Sequence, residues 1–315
     1  MNWKKYLKEN QPLLIATHLD ADGIYSAVLF SYAFNIKDVT IPEEFGDYGS
    51  EVHVSLDLGP PINKGFTGVA IDHHTHPKPM DYHLIHEPCP TGLIVYNLFK
   101  DKIPKDMAWK VAGALVGDGQ PEKIPNEIWE MFGKELLEKR ARIYPQYKVN
   151  PKIYKYISVY KLLSAPVNAC CRAGYPLEAF KTVRNARTPS DILEHPTFNE
   201  MAQKIRNEEE KIWKEYGITG AISLNDYISI FSFGSQHKMS GRIASKLKNI
   251  AQDKTWIVIN EVRGEISVRG DLALYVASKL ENSPFKMGGH AGFCGSKLPG
   301  ELTAKDFVNT LRKLL

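Results

Sequence analysis

The chain has 315 residues, 43% of them hydrophobic, with 40 lysines and arginines against 36 aspartates and glutamates and a formal net charge of +4. That length favours two domains, each able to bury a core of its own, and so small a net charge argues against a polycationic chain while leaving room for a local basic patch. Four cysteines, Cys89, Cys170, Cys171 and Cys294, form no Cys-x-x-Cys pair, which argues against a disulfide framework or a thiolate zinc site and for a reducing compartment. No apolar run reaches the roughly 18 residues that cross a bilayer, and Met1-Asn2-Trp3-Lys4-Lys5 opens a polar segment. The expectation is a cytoplasmic chain with no membrane partner.

From residue 13 to about 118, short apolar runs alternate with helical stretches at Gly23 to Phe34, Thr91 to Phe99 and Asp106 to Leu115. This pattern predicts an α/β domain built on a mostly parallel sheet with crossover helices. Strand signals then nearly vanish until 216, where helices are expected over Asn126 to Tyr144, Pro151 to Leu163, Leu177 to Ala186 and Thr197 to Tyr216, punctuated by prolines. The charge-dense stretch from Asn199 to Trp213 reads as a long, solvated connecting helix. Beyond Gly217 a smaller α/β domain is predicted. Its strands are Gly220 to Leu224, Tyr227 to Phe233, Trp256 to Asn260 and Glu265 to Arg269, and its helices Ser240 to Ile250, Leu272 to Leu280 and Thr303 to Leu314.

Three apolar runs end in polar groups: Leu13 to Ala16 leads into His18-Leu19-Asp20-Ala21-Asp22-Gly23, Val52 to Val54 into Ser55-Leu56-Asp57, and Gly68 to Ile71 into Asp72-His73-His74. In open α/β sheets functional groups gather beyond the carboxyl ends of strands, and residues two apart in extended chain share a face. His18 and Asp20, with Asp22, can therefore converge, and Gly23 lets the chain turn into the next helix. Asp118 follows the apolar helix Val111 to Gly117. Carboxylates crowded in one crevice repel unless cations lie between them, and an oxygen-rich set with imidazoles suits Mn²⁺ or Mg²⁺. A lone His-x-Asp is more often a turn or helix cap; it is the repetition at three strand ends that points to a hard-metal hydrolytic site. His76, His83 and His86 are left as surface groups or as supports behind such ligands.

Near the carboxyl end, Met287-Gly288-Gly289-His290-Ala291-Gly292-Phe293-Cys294-Gly295 reads either as a tight turn or as a backbone cradle for a phosphate or terminal sugar. Ser267 and Arg269 share a strand face, and Arg269 either forks onto phosphate or is solvated. His237 and Ser240 precede or open a helix whose amino terminus either attracts an anion or is simply capped.

At these residues the chain resembles the DHH phosphoesterase superfamily, in its short RecJ-like and oligoribonuclease-like form. The matching motifs are His18 to Gly23, Asp57, Asp72-His73-His74 and Gly117-Asp118, followed by Gly288-Gly289-His290 and Ser267-Val268-Arg269 of a DHH-associated domain. The resemblance implies a DHH domain over 1–190, a helical linker over 191–216 and a substrate-binding DHH-associated domain over 217–315, without the OB-fold of bacterial RecJ. It implies that His18 and Asp20 hold one Mn²⁺, that Asp22, His73 and Asp118 hold a second, that Asp57 bridges both, and that Mg²⁺ can substitute. Asp72 would orient a histidine, and His74 would face the scissile phosphate during in-line attack by an activated water. Gly288, Gly289, His290, Ser267, Arg269, His237 and Ser240 would hold the substrate.

The implied activity is a single-strand-specific exonuclease on RNA, DNA or both, leaning 3′ to 5′, in a cleft between the domains. Hydrolysis of short oligonucleotides or of linear or cyclic dinucleotides is the neighbouring alternative, and an inactive replication scaffold the alternative of another class, with replication or repair proteins as partners. One departure is visible: Phe293 and Cys294 stand where the family loop has two alanines, and Phe293 could stack on a base.

Overall fold

The computed structural model describes residues 2–63, 65–76, 79–143, 159–217, 220–290 and 292–315, with backbone alone for 138–143 and His290. Tyr144 and the first part of the helix expected over Pro151 to Leu163 lie outside the described residues. The chain forms two compact units, one of Met1–Cys171 and Tyr175–Ala202, the other of Arg172–Gly174 and Gln203–Leu315. Among the described residues no helix is long and apolar enough to cross a membrane.

The first unit runs α1 (Trp3–Glu9), β1 (Ile15–Thr17), α2 (Ala21–Phe34), β2 (Val54–Leu56), β3 (Val69–Asp72), β4 (His83–His86), α3 (Thr91–Phe99), α4 (Lys110–Gly117), α5 (Asn126–Ile143), a π-helical turn (Tyr160–Ser164), α6 (Ala165–Arg172), α7 (Pro176–Asn185) and α8 (Pro189–Glu194). The helix α9 (Pro196–Tyr216) contributes to both units. Strands β1 to β4 pair in sequence order and in parallel, with Ile15 opposite Val54, Val54 opposite Val69 and Val69 opposite His83. Among the described residues only the first crossover matches the expectation of helical crossovers: α2 joins β1 to β2, whereas no helix is found between β2 and β3 or between β3 and β4.

The two faces of this sheet are covered differently. Ile15, Thr17, Val69 and Ile71 are fully or nearly fully buried, and α2 and α3 pack against β1 and β3. Ala16 and Ala70 instead pack beneath Tyr48, Val52, Leu58 and Phe66, side chains supplied by connecting segments. Small alanines leave room there for loop aromatics, so no helix is needed on that face. Helix α2 is buried on every side from Ala21 to Ser31, as expected of a helix apolar around its whole circumference, and it packs against α3, α4 and α7. Thr17 Oγ1 donates 2.7 Å to the Gly23 carbonyl, fastening β1 to the start of α2.

The second unit contains β5 (Ile222–Ser223), β6 (Ile228–Phe233), α10 (Ser240–Ile250), β7 (Thr255–Asn260), β8 (Glu265–Arg269), α11 (Ala273–Lys279), β9 (Gly288–His290), β10 (Phe293–Lys297) and α12 (Ala304–Leu314). Its sheet is mixed, in the order β5-β6-β7-β8-β10-β9, with β6 and β7 parallel. The glycine-rich stretch is therefore a hairpin at the sheet edge. Strand β7, Thr-Trp-Ile-Val-Ile-Asn, is wholly buried, as a β-branched central strand should be. Ile266 and Val268 of β8 join Phe285, Phe307 and Leu311 in the core, while the alternate residues Glu265, Ser267 and Arg269 lie on the face covered by α10. Helix α9 departs from the fully solvated expectation: Met201, Ile205, Glu209 and Ile212 are buried along one stripe. Glu209 is held by Arg242 and Lys246 of α10, the pairing a buried carboxylate requires.

Helices α2 and α4 approach closely because Gly113 faces the fully buried Tyr25 ring, and a Cβ there would overlap ring carbons. Gly113→Ala should therefore destabilise the chain by about 1–3 kcal/mol through overpacking, despite alanine's better helix propensity. Urea unfolding reads this directly, and an unchanged midpoint would mean that the helix pair relaxes without cost.

Candidate metal centre

Four segments of the first unit, His18–Asp22, Asp57, Asp72–His74 and Asp118, deliver the polar side chains expected from the sequence. His18 follows β1, and its amide donates 3.2 Å to the Leu56 carbonyl. Asp20 is the N-cap of α2, its Oδ1 accepting from the Gly23 amide at 3.0 Å, while Oδ2 lies 3.0 Å from His18 Nδ1. Helix cap and site residue are thus two oxygens of one carboxylate. Gly23 is glycine because a Cβ would strike the His18 backbone.

Asp22, on the first turn of α2, is buried. It accepts from the Thr91 amide at 2.8 Å, the Gly92 amide at 2.9 Å and Ser26 Oγ at 3.2 Å. The amide end of α3 thus supplies donors to a buried carboxylate. Asp57 follows β2 with φ of 61°, a left-handed conformation rare outside glycine and typical of strain held at functional positions. Its Oδ1 accepts from Thr91 Oγ1 at 3.2 Å.

Asp57 lies at the centre of the cluster. His73 Nε2 is 3.2 Å from Asp57 Oδ1, 3.2 Å from Asp118 Oδ2 and 4.0 Å from Asp22 Oδ2. His18 Nδ1 is 3.6 Å from Asp57 Oδ2. Asp118 is the C-cap of α4. Ligand-capable atoms fall within 4.8 Å of one another in the sets His18, Asp20 and Asp57; Asp22, His73 and Asp118; and Asp57, Asp72, His73 and His74.

Asp72 is set apart by saturation. Its Oδ2 accepts from the Gly59 amide at 2.6 Å and His76 Nε2 at 3.0 Å, and its Oδ1 from the His73 amide at 2.7 Å, the His74 amide at 3.0 Å and His74 Nδ1 at 2.7 Å. With this many donors the carboxylate organises its neighbours and has little capacity left for a cation. His76, 1% exposed, passes the network to the Tyr82 hydroxyl, 2.6 Å from its Nδ1. Sequence alone places His76 among surface or supporting groups, and only its contacts identify it as support. His86 Nε2 lies 3.2 Å from the His73 carbonyl, and His83 on β4 packs near Tyr6.

Burial and crowding shift the proton affinities of these groups. Burial, reinforced by Asp57, Asp118 and Asp20, pushes Asp22 well above the usual carboxylate range. Burial and the Asp57 charge raise Asp118 to about 7. For His18 burial favours the neutral ring, yet Asp20 and Asp57 outweigh it and raise the imidazole to about 10; His73 rises to about 9 for the same reason beside Asp57 and Asp118. Asp20 is held below its ordinary range because His18 outweighs its burial. His18 Nδ1 is nevertheless buried without a hydrogen bond. An imidazole nitrogen 3.0 Å from one carboxylate and 3.6 Å from another, without good hydrogen-bond geometry to either, fits a shared divalent cation, as does the oxygen-rich set around it.

In the second unit, Ser267 Oγ lies 3.0 Å from Ser240 Oγ, at the start of α10, whose first turn has no side-chain cap. A Cβ on Gly241 would come within 3.2 Å of Arg269 Nη2, so glycine admits the guanidinium to that helix end. Arg269 Nε is buried without a hydrogen-bond partner, burial lowers the guanidinium to about 10, and its Cζ lies 4.7 Å from the Phe293 ring centroid. Serine hydroxyls, uncapped amides and a guanidinium thus gather as hydrogen-bond donors at the start of α10, the donor set that anion recognition calls for.

His237 is held through its backbone, donating 3.0 Å to Ser235 Oγ and accepting 2.9 Å from Asn260 Nδ2. Gly288 has open space where a Cβ would go, but Gly289, with φ of 145°, is required because a Cβ would strike the backbone of Phe293 and Cys294. One glycine of the pair thus serves the hairpin. The His290 side chain lies outside the described residues.

No family model matches the sequence, and no curated protein matches it. Solved structures do. RecJ from Thermus thermophilus in complex with Mn²⁺ is 16% identical with a TM-score of 0.69, over 99% of this chain and 53% of that one; this chain thus spans about half the length of that RecJ. Exonuclease RecJ bound to manganese is 14% identical with a TM-score of 0.64, over 99% and 92% of the two chains. The DHH domain of a member of the s1p family of ribosomal proteins is 14% identical with a TM-score of 0.56, over 97% and 86%. The chain therefore has the fold shared by RecJ and DHH-domain proteins.

Proposed function

We propose that the chain is a metal-dependent phosphodiesterase, acting as an exonuclease on single-stranded RNA, DNA or both and releasing mononucleotides, in the 3′ to 5′ direction. The observation that carries this reading is the gathering of two histidine–carboxylate sets beside Asp57: His18 and Asp20 group with it directly, and His73, which groups with Asp22 and Asp118, has its Nε2 3.2 Å from Asp57 Oδ1. Two bound Mn²⁺ ions would supply activation of water and neutralisation of phosphoryl charge. His18 and Asp20 would hold one, Asp22, His73 and Asp118 the other, and Asp57 both.

Hydrogen bonding supports the remaining roles. Asp72 engages Nδ1 of His74, which fixes the ring and leaves Nε2 to meet the scissile phosphate. Burial lowers the His74 pKa, but Asp72 and Asp57 outweigh it and the net shift is upward, a direction that favours the ring form able to donate from Nε2 to a phosphoryl oxygen. Ser267, Arg269 and the amino terminus of α10 would grip a phosphate of the strand, with Gly288, Gly289, His290 and His237 beside it.

End-labelled RNA and DNA strands of graded length, incubated with Mn²⁺, test the reading. A ladder of single-nucleotide steps is expected, and Asp57→Ala should abolish it, exceeding the about 10- to 100-fold loss typical of a supporting group. The label's position reports polarity. Cleavage confined to dinucleotides would replace the exonuclease with a small-substrate phosphodiesterase, and tight strand binding without cleavage would overturn hydrolysis.

Metal affinity should depend on pH in a defined direction. His18, His73 and Asp118 titrate at about 10, 9 and 7, so binding must expel their protons, and affinity should rise from pH 6 to 9 by at least about tenfold per unit. Titration calorimetry in buffers of different ionisation enthalpy measures both affinity and protons released; a flat profile would remove these residues as ligands.

A further inference from the structure

The segment between α2 and β2 places one aromatic ring over the cluster. The Phe45 ring centroid is 5.1 Å from that of His18 at an interplanar angle of 82°, and 4.8 Å from that of His74 at 75°. Phe45 is nonetheless 42% exposed. A residue serving only to exclude water from the two imidazoles would be expected to bury itself, and any bulky aliphatic side chain would do that work.

The ring is also held firmly. Gly59, with φ of 64°, gives Phe45 its seat, since a Cβ there would overlap the ring. The Gly46 carbonyl accepts from the amides of Ile62 at 2.8 Å and Tyr48 at 3.0 Å. Asn63 Nδ2 donates 2.6 Å to Asp47 Oδ1, and the buried Tyr48 hydroxyl donates 2.7 Å to the Gly59 carbonyl. Gly59 is itself tied by its amide to Asp72. Two turns strapped together thus fix an open aromatic surface relative to His74, an arrangement that costs little ordering entropy when a flat ligand settles on it.

We infer that Phe45 is a nucleobase contact: it takes the base of a nucleotide adjoining the scissile phosphate, so the substrate carries an unpaired base at that point. This rests on the phosphodiester reading above and deepens it. Aromatic rings stack on any base, which makes such a contact tolerant of sequence. A base inside a duplex has both faces covered and its edge paired, so it cannot reach the ring without leaving the stack. Strand selectivity then originates beside the metal ligands.

The test compares two single-stranded oligonucleotides identical but for the presence or absence of the base at the terminal or the penultimate nucleotide, with Mn²⁺. The wild-type chain should favour the base-bearing strand in kcat/KM by about 5- to 150-fold at one of these positions. Phe45→Ala should bring that ratio close to one, Phe45→Trp should restore it, and Phe45→Leu should not. Fluorescence anisotropy on the same pair reads the ratio from binding, without turnover. If Phe45→Ala slows both strands equally, or Phe45→Leu keeps the ratio, the ring only shields His18 and His74 and the inference falls. If neither strand is hydrolysed by the wild-type chain while binding still depends on the base through Phe45, hydrolysis fails and the contact stands.

Discussion

Mutual repulsion among Asp20, Asp22, Asp57 and Asp118 sets the terms on which the first unit is built. Crowded carboxylates would separate or protonate, and the upward shifts of Asp22 and Asp118, caused first by burial and then by neighbouring aspartates, record that pressure. Small residues are what hold them together. A Cβ on Gly92 would overlap Ala114, and one on Gly117 would come within 2.9 Å of Ala21; glycine at both positions lets α3 meet α4 and α4 meet α2 at their ends. The same contacts aim the Thr91 and Gly92 amides at Asp22 and set Asp118 against His73. Packing energy spent over three helices thus sustains an electrostatically unfavourable cluster that divalent cations would relieve.

How much of this was legible follows from what each residue depends on. The gathering of His18, Asp20, Asp57 and His73 is set by β1, β2 and β3 being adjacent and parallel, and the apolar runs before each residue disclose the strands. Asp118 was legible because an apolar helix ends on it. The crossovers were not: residues 57–68 and 73–82 lack periodicity, and their role emerges only when Tyr48, Leu58 and Phe66 cover Ala16 and Ala70. Nor was β4, whose four residues include two histidines and are only partly buried or exposed.

His76 shows the same limit at the level of one side chain. A histidine two residues after His74 has no periodicity to betray it, and its burial depends on the return of the chain at Tyr82. Once there, it completes the shell of donors around Asp72. Removing any one donor would leave a buried anion short of a partner, so Asp72, His74 and His76 behave as one unit whose geometry the loop carries.

In the second unit the departure at Phe293 and Cys294 has a packing explanation that the sequence did not reveal. Cys294 pairs with Val268 across β10 and β8 and is 3% exposed, so it serves the core. Phe293, its neighbour on the opposite side of the strand, pairs with Arg269 and lies against the guanidinium. A cation–π contact can hold an arginine that lacks a partner at Nε without consuming any of its donors. Phe293 therefore occupies none of the Arg269 donors, of which Nη1 bonds the Val268 and Cys294 carbonyls, whereas an acidic partner would have neutralised the charge.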